Sequence, residues 1–219
     1  MRKVIIAPSI LSADFGNFAR DVRRTEQAGG DWIHCDVMDG HFVPNLTFGP
    51  DTVAAVRRAT KLHVDVHLMI ERPDIYAEKF VKAGADSIIV HVEAKHDVAA
   101  TLKAIRGMGK QCALAVNPPT PIERAVPFLD QIDFLLCMTV NPGFPAQKFI
   151  EDVLPKVEYI RKRRPDLDIE VDGGVGAKTI GPSAKAGANI FVAGNAVYGQ
   201  PDLGKAITEL RQIANESLH

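Results

Sequence analysis

The sequence predicts a single (β/α)8 barrel. Three observations predict it: strand-like runs alternate with amphipathic helical stretches along all 219 residues, one short motif recurs at quarter-length intervals, and no Gly/Ser linker or low-complexity tract divides the chain. Alternation of strand and helix means a parallel sheet. The motif is a helix-ending Gly, then Asp or Asn, then a β-prone run. It appears as Ala28-Gly29-Gly30-Asp31-Trp32-Ile33, Ala83-Gly84-Ala85-Asp86-Ser87-Ile88 and Ala186-Gly187-Ala188-Asn189-Ile190-Phe191, with a fourth copy lacking the Gly at Leu129-Asp130-Gln131-Ile132-Asp133-Phe134. The strand-opening residues 31, 86, 133 and 189 are 55, 47 and 56 residues apart. Half of each interval is one βα unit, because eight such units take about 250 residues. This periodicity favours closure into a barrel over an open sheet, and the first strand lacks the GxGxxG of a dinucleotide fold.

The elements follow in order. The apolar run Val4–Leu11, broken by Pro8 and Ser9, places the first strand near 4–9; later strands are expected near 31–37, 62–68, 86–92, 111–116, 132–138, 167–172 and 189–193. Helical stretches fall near 15–29, 50–59, 73–83, 96–107, 121–127, 150–163, 176–186 and 202–215, with Pro73 and Pro121 as start signals.

Composition narrows the function. A 46% hydrophobic content is ample for a packed core, and a net charge of −1 leaves no basic excess for nucleic acid. No apolar run is long enough to span a membrane and no signal-peptide pattern opens the chain. Cys35, Cys112 and Cys137 are widely spaced and odd in number, so a disulfide framework or structural zinc site is not expected and a reduced, cytoplasmic setting is. The outer helices are too mixed in polarity to mark an interface, so a homo-oligomer and a monomer both stay open.

Barrels of this class carry their chemistry at the C-terminal ends of the strands. Side chains alternate along a strand. Ile33, Cys35 and Val37 are apolar and should face the covering helices, which sends His34 and Asp36 inward; the same parity sends Asp65, His67, Glu170 and Asp172 inward. His34, Asp36, His67 and Asp172 then converge, and two imidazoles with two carboxylates suit one divalent ion, Zn²⁺, Fe²⁺, Mn²⁺ or Co²⁺. Any one of them alone reads equally as a satisfied core histidine or a helix cap; the cluster is what points to function. Asp65 and Glu170, one step deeper, suit partners of the histidines or a plain buried ion pair. Gly173-Gly174 after strand 7 and Gly194-Asn195 after strand 8 stand where barrels often bind phosphate. Asn141-Pro142-Gly143-Phe144-Pro145-Ala146-Gln147 after strand 6 reads as a lid or a plain connection. Met38, Met69 and Met138, all at strand ends, read as core filler or as an apolar shelf facing the metal.

The runs Ala7-Pro8-Ser9-Ile10-Leu11-Ser12-Ala13-Asp14, His34-Cys35-Asp36-Val37-Met38-Asp39-Gly40-His41-Phe42-Val43-Pro44-Asn45, Asp65-Val66-His67-Leu68-Met69 and Val171-Asp172-Gly173-Gly174 resemble the ribulose-phosphate 3-epimerase family, in order and over nearly the whole chain. The resemblance implies a TIM barrel with a ribulose-phosphate-binding type of site. It implies a metal held by His34, Asp36, His67 and Asp172, with Asp36 and Asp172 as the acid–base pair. Ser9, His67, the methionine shelf and the loops after strands 6, 7 and 8 would hold a phosphorylated ketose. The implied reaction interconverts D-ribulose 5-phosphate and D-xylulose 5-phosphate. Two departures stand out: Pro145-Ala146 replaces a Gly-Gly pair of the family, and Asn195 replaces a Ser. Both fall where phosphate or the distal sugar would sit, so a ketohexose 6-phosphate such as allulose 6-phosphate is the alternative substrate. A related decarboxylase would need Asp-x-Lys-x-x-Asp on strand 3, and Asp65-Val66-His67-Leu68-Met69-Ile70 lacks it. A Schiff-base enzyme needs an inward strand-end Lys; Lys61 and Lys110 lie at strand beginnings.

Overall fold

The computed structural model describes residues 2–144 and 147–218. Its eight strands are β1 (Ile5–Pro8), β2 (Trp32–Met38), β3 (His63–Met69), β4 (Ser87–His91), β5 (Gln111–Val116), β6 (Phe134–Met138), β7 (Asp168–Asp172) and β8 (Ile190–Ala193). They pair in parallel in the order β1-β8-β7-β6-β5-β4-β3-β2. The remaining gap, between β1 and β2, is narrowed by a parallel bridge from Ser9 to His34 and by the Asp31 N–H, which donates to the Ile6 carbonyl at 3.0 Å. The result is a nearly closed (β/α)8 barrel. Around it lie α1 (Phe18–Gln27), α2 (Pro50–Ala59), α3 (Pro73–Ala83), α4 (Val98–Gly107), α5 (Leu154–Arg163), α6 (Ile180–Ala186), the one-turn α7 (Asn195–Tyr198) and α8 (Leu203–Ser217).

The recurring Asp or Asn has one structural job, done four times. Its side-chain oxygen accepts the N–H of a residue in the preceding strand: Asp31 from Ile6 at 3.0 Å, Asp86 from Val64 at 2.9 Å, Asp133 from Cys112 at 2.8 Å and Asn189 from Ile169 at 3.0 Å. Its own N–H returns to that residue's carbonyl at 2.8–3.0 Å. An arginine from the helix before that strand then reaches the same oxygen: Arg211 of α8, Arg57 of α2 and Arg106 of α4 on the three aspartates, Arg161 of α5 on Asn189. Each clamp thus ties two strands and one helix at the N-terminal face of the barrel, the face associated with stability. The motif glycines fit this packing. A Cβ on Gly84 would stand 2.5 Å from Arg57 Cγ and one on Gly187 2.7 Å from Arg161 Cβ, so only glycine lets the arginine cross.

Outward residues such as Ile33, Cys35, Val37, Val64, Val66 and Leu68 pack with helix residues such as Val53, Val56, Phe80, Leu102 and Ile105 in the main core. The barrel interior is divided. Ile89, Ala113, Ala115, Phe134, Leu136 and Ile190 fill one part with apolar side chains. The part under β2, β3, β4 and β7 is polar, and His34, Asp36, Asp65, His67, Ser87, His91 and Glu170 are all 4% exposed or less. The three cysteines are buried and free.

Every expected strand is present, within two residues at each end. The helix expected at 121–127 is not formed; that crossover is made of 3-10 turns at Ile122–Arg124 and Val126–Gln131. Pro127 is the reason: it has no N–H for an α-helical bond and its ring would meet the carbonyl four residues back. Helices expected from 15, 150 and 176 begin at Phe18, Leu154 and Ile180 instead, after turns. Asn195, expected in a loop, opens α7.

The clamp sets an expectation. Asp133→Ala leaves the N–H of the fully buried Cys112 without its side-chain acceptor and should cost about 1–3 kcal/mol in urea unfolding. Asp133→Asn keeps an accepting oxygen and should cost less; equal losses for the two variants would contradict the clamp.

Candidate metal centre and active site

Strand register brings the candidate residues together. His34 pairs across with Asp65, Asp36 with His67, and Met38 with Met69, while Met138 sits beside Asp172 on the other wall. Single ligand atoms of His34, Asp36, His67 and Asp172 all lie within 4.8 Å of one another. Asp36 Oδ1 is 3.4 Å from His34 Nε2 and 3.4 Å from His67 Nδ1. Asp172 Oδ2 is 4.0 and 3.8 Å from the same two nitrogens. A tetrahedral ion with bonds of about 2.0–2.2 Å holds its ligand atoms about 3.4 Å apart, so a small contraction closes the set around one.

His34 carries the clearest sign. Its Nδ1 is 2.7 Å from Asp65 Oδ2; an ionised carboxylate only accepts, so Nδ1 is the donor. Its Nε2 is buried, finds no hydrogen-bond partner, and faces the cluster. Buried polar atoms are rarely left so. On Asp36 the second oxygen is taken: Ser9 Oγ donates to Oδ2 at 2.5 Å. Beneath, Ser87 Oγ donates to Asp65, and Glu170 Oε1 stands 3.4 Å from His34 Nδ1.

Charge and burial act against each other here. Burial pushes the Asp36 carboxyl up, but the imidazoles of His34 and His67 close beside it outweigh burial and hold Asp36 well below the usual carboxylate range. Burial, then the Asp36 charge, push Asp172 up to about 7. Burial, then Asp65, push Glu170 up to about 8. Burial pushes His67 down to about 4. Burial also works against a charged His34, yet the Asp36 charge and the carboxylates it bonds raise it. The protein alone therefore neutralises part of this charge with protons, which an entering cation would displace.

Above the cluster is a cleft. Ser9, Asp36, Met38, Met69, Met138, Gly143, Phe144, Asp172, Gly173, Gly174, Gly194 and Asn195 all line it, with Leu11 and Gln147 among others. The methionines are at most 5% exposed and form an apolar layer at its floor. His34 and His67, both fully buried, lie below it. The loop after β6 is held from both ends. Gln147 Nε2 donates to the carbonyls of Asn141 at 2.6 Å and Phe144 at 2.9 Å, and Asn45 Nδ2 of the β2 loop donates to Gly143 at 2.7 Å. Pro145 and Ala146 lie outside the described residues. Sequence reasoning missed His91 at the end of β4, whose Nε2 is 2.7 Å from His67 Nε2; the inward parity of Ser87, Ile89 and His91 was the available signal.

A profile of the ribulose-phosphate 3 epimerase family matches residues 5–198. The chain belongs to this family. Ribulose-phosphate 3-epimerase of Bacillus subtilis (strain 168) is 51% identical over 94% of this chain and 97% of its own. The Rhodobacter capsulatus enzyme is 47% identical over 99% and 98%, and the cytoplasmic isoform of Oryza sativa subsp. japonica 43% over 97% and 95%. Family membership makes the chain an isomerase acting on a carbohydrate, a phosphorylated sugar, and does not favour the ketohexose alternative. Among solved structures, KGPDC from Streptococcus mutans superposes with a TM-score of 0.73 at 14% identity over all of both chains. Orotidine 5'-phosphate decarboxylase from Pyrococcus horikoshii OT3 superposes at 0.71, with 15% identity over 96% and 99%. At such identities these two speak for the barrel alone. No helix among the described residues is long and apolar enough to cross a membrane.

Ser9→Ala removes a donor to a buried ionised carboxylate. It should lower stability in urea unfolding by about 1.5–3 kcal/mol, the range for a hydrogen bond to a charged group; an unchanged midpoint would show that Asp36 does not depend on Ser9.

Proposed function

We propose that His34, Asp36, His67 and Asp172 hold one divalent cation, and that Asp36 and Asp172 move the protons that interconvert D-ribulose 5-phosphate and D-xylulose 5-phosphate. The observation that carries this reading is the partnerless Nε2 of His34 facing two carboxylates and a second imidazole. An ion held there supplies Lewis-acid stabilisation for the negative charge that develops on the sugar oxygens as the C3 proton leaves.

The residues do the rest. Inversion needs a base on one face of C3 and an acid on the other. Asp36 comes from β2 and Asp172 from β7, with β1 and β8 between them in the ring. Their environments push their affinities for a proton in opposite directions, the pattern expected of an acid–base pair. Ser9 fixes one Asp36 oxygen and leaves the other facing the cluster. The methionine floor keeps water from the reacting carbon. Gly143, Phe144, Gly173, Gly174, Gly194 and Asn195 at the rim hold the phosphate end of the sugar, and Pro145-Ala146 tunes that grip. A cytoplasmic enzyme fits three free thiols.

Turnover in D2O tests the proton path. A two-carboxylate enzyme places solvent deuterium in the product epimer as it forms. Asp36→Asn and Asp172→Asn each abolish inversion, and one of them still exchanges the C3 proton of one epimer. Metal content is measured on the same samples, because both residues are proposed ligands. Either variant retaining its metal and epimerising at a near-normal rate would refute the mechanism.

A further inference from the structure

We propose that His91 and Glu93 are positioning residues for the metal centre: through a Glu93–His91–His67 chain they set the tautomer that leaves Nδ1 of His67 free to bind the cation. The inference rests on the reading of His67 as a ligand.

The chain is read from its outer end. Glu93 Oε1 accepts the backbone N–H of Asn117 at 2.9 Å, which fixes the carboxylate, and Glu93 Oε2 lies 3.1 Å from His91 Nδ1. Burial pushes Glu93 up, but the bonds from His91, Thr120 and Asn117 outweigh it and hold it at about 2. An ionised carboxylate accepts and cannot donate. The proton between these two residues therefore belongs to His91 Nδ1. With His91 Nδ1 turned to Glu93, its Nε2 stands 2.7 Å from His67 Nε2. The two rings are tilted by only 26° with centroids 4.9 Å apart, so they meet nitrogen to nitrogen, edge to edge. A nitrogen–nitrogen contact of 2.7 Å needs one proton between the rings, and a His67 that binds the cation through Nδ1 carries that proton on Nε2 and donates it. His67 Nδ1 is then left with its lone pair, 3.4 Å from Asp36 and 3.8 Å from Asp172.

Run in the opposite sense, the same chain would put a proton on His67 Nδ1, where it would stand between the ring and the cation. Two carboxylates compete for that direction, Asp36 at 3.4 Å from His67 Nδ1 and Glu93 at the far end, and the shorter contacts, 2.7 and 3.1 Å, run toward Glu93. His34 solves the same problem in one step, since Asp65 takes its Nδ1 proton and frees Nε2. His67 presents the other nitrogen to the cluster, and the relay through His91 supplies a carboxylate on the side of the ring away from it. His91 is fully buried with the Phe42 ring 4.7 Å away.

Two substitutions separate direction from mere packing. In Glu93→Gln the Asn117 N–H holds the amide oxygen on its side, so the amide NH2 replaces Oε2 against His91 Nδ1 and donates to it. That reverses every bond in the chain. Glu93→Ala removes the acceptor without installing a donor, so the bias is lost but not inverted. Both remove the same charge. Zn²⁺ affinity is measured by competition with a chromogenic chelator, and the His67 tautomer is read from nitrogen-15 shifts of the metal-free protein at neutral pH. The expected result is Zn²⁺ binding by the unaltered protein, weakened on the order of 10–100-fold in Glu93→Gln, the range for outer partners of metal ligands, and weakened less in Glu93→Ala. His67 is Nε2-protonated in the unaltered protein and Nδ1-protonated in Glu93→Gln. Thermal unfolding of the metal-free variants is followed alongside, and the isosteric Glu93→Gln should unfold no lower than Glu93→Ala. The inference is overturned if Glu93→Ala binds Zn²⁺ as weakly as Glu93→Gln or more weakly, or if His67 carries its proton on Nδ1 in the unaltered protein. An unaltered protein that failed to bind Zn²⁺ would instead sink the ligand reading, and this inference with it.

Discussion

Charge sealed inside the barrel is the constraint on which the site depends. Asp36, Asp65 and Glu170 are at most 4% exposed, and Asp172 joins them at the cleft floor beside two fully buried imidazoles. Several kcal/mol is the penalty for each ion removed from water without compensation. Part of the compensation is visible. Asp65 accepts from His34 and Ser87, and Asp36 accepts from Ser9. Part is protonic, since burial raises Glu170 and Asp172. The remainder is a place where His34 Nε2 has no partner at all. A divalent cation at that point would answer the excess of carboxylate charge and the missing hydrogen bond together, and the cluster could hold one.

The fold separates the tasks. At the N-terminal face four clamps of Asp or Asn, strand N–H and helix arginine hold the staves in register. At the C-terminal face the β2–β3 register sets Asp36 beside His67 and Met38 beside Met69. A one-residue slip of β2 or β3 would turn these side chains outward into the apolar core. The divided interior serves the same end: apolar filling under β5, β6 and β8 leaves the polar groups under β2, β3, β4 and β7 no water to turn to.

Much of this was legible in the sequence. The parity of alternate residues in β2, β3 and β7 placed His34, Asp36, His67 and Asp172 on one inner wall, because period-2 alternation survives any error in strand ends. The recurring Asp was visible as a repeat, but its role was not, since the clamp joins residues 20 to 25 apart through contacts that no local pattern encodes. The fifth crossover was misread because Pro121 is a helix-start signal only if the next turn can continue, and Pro127 stops it. His91 and Glu93 escaped notice for a different reason. Read along the chain they are a histidine and a glutamate at a strand end; only the third dimension sets one against His67 and the other against Asn117.

The most direct test of the central claim is a crystal structure of the Zn²⁺-loaded protein with anomalous data collected at the metal edge. The account predicts one strong peak bonded at about 2.0–2.2 Å by His34 Nε2, His67 Nδ1 and one oxygen each from Asp36 and Asp172. A peak seated instead on His34, Asp65 and Glu170, the second group of potential ligands within reach, or no peak inside the barrel, would contradict it.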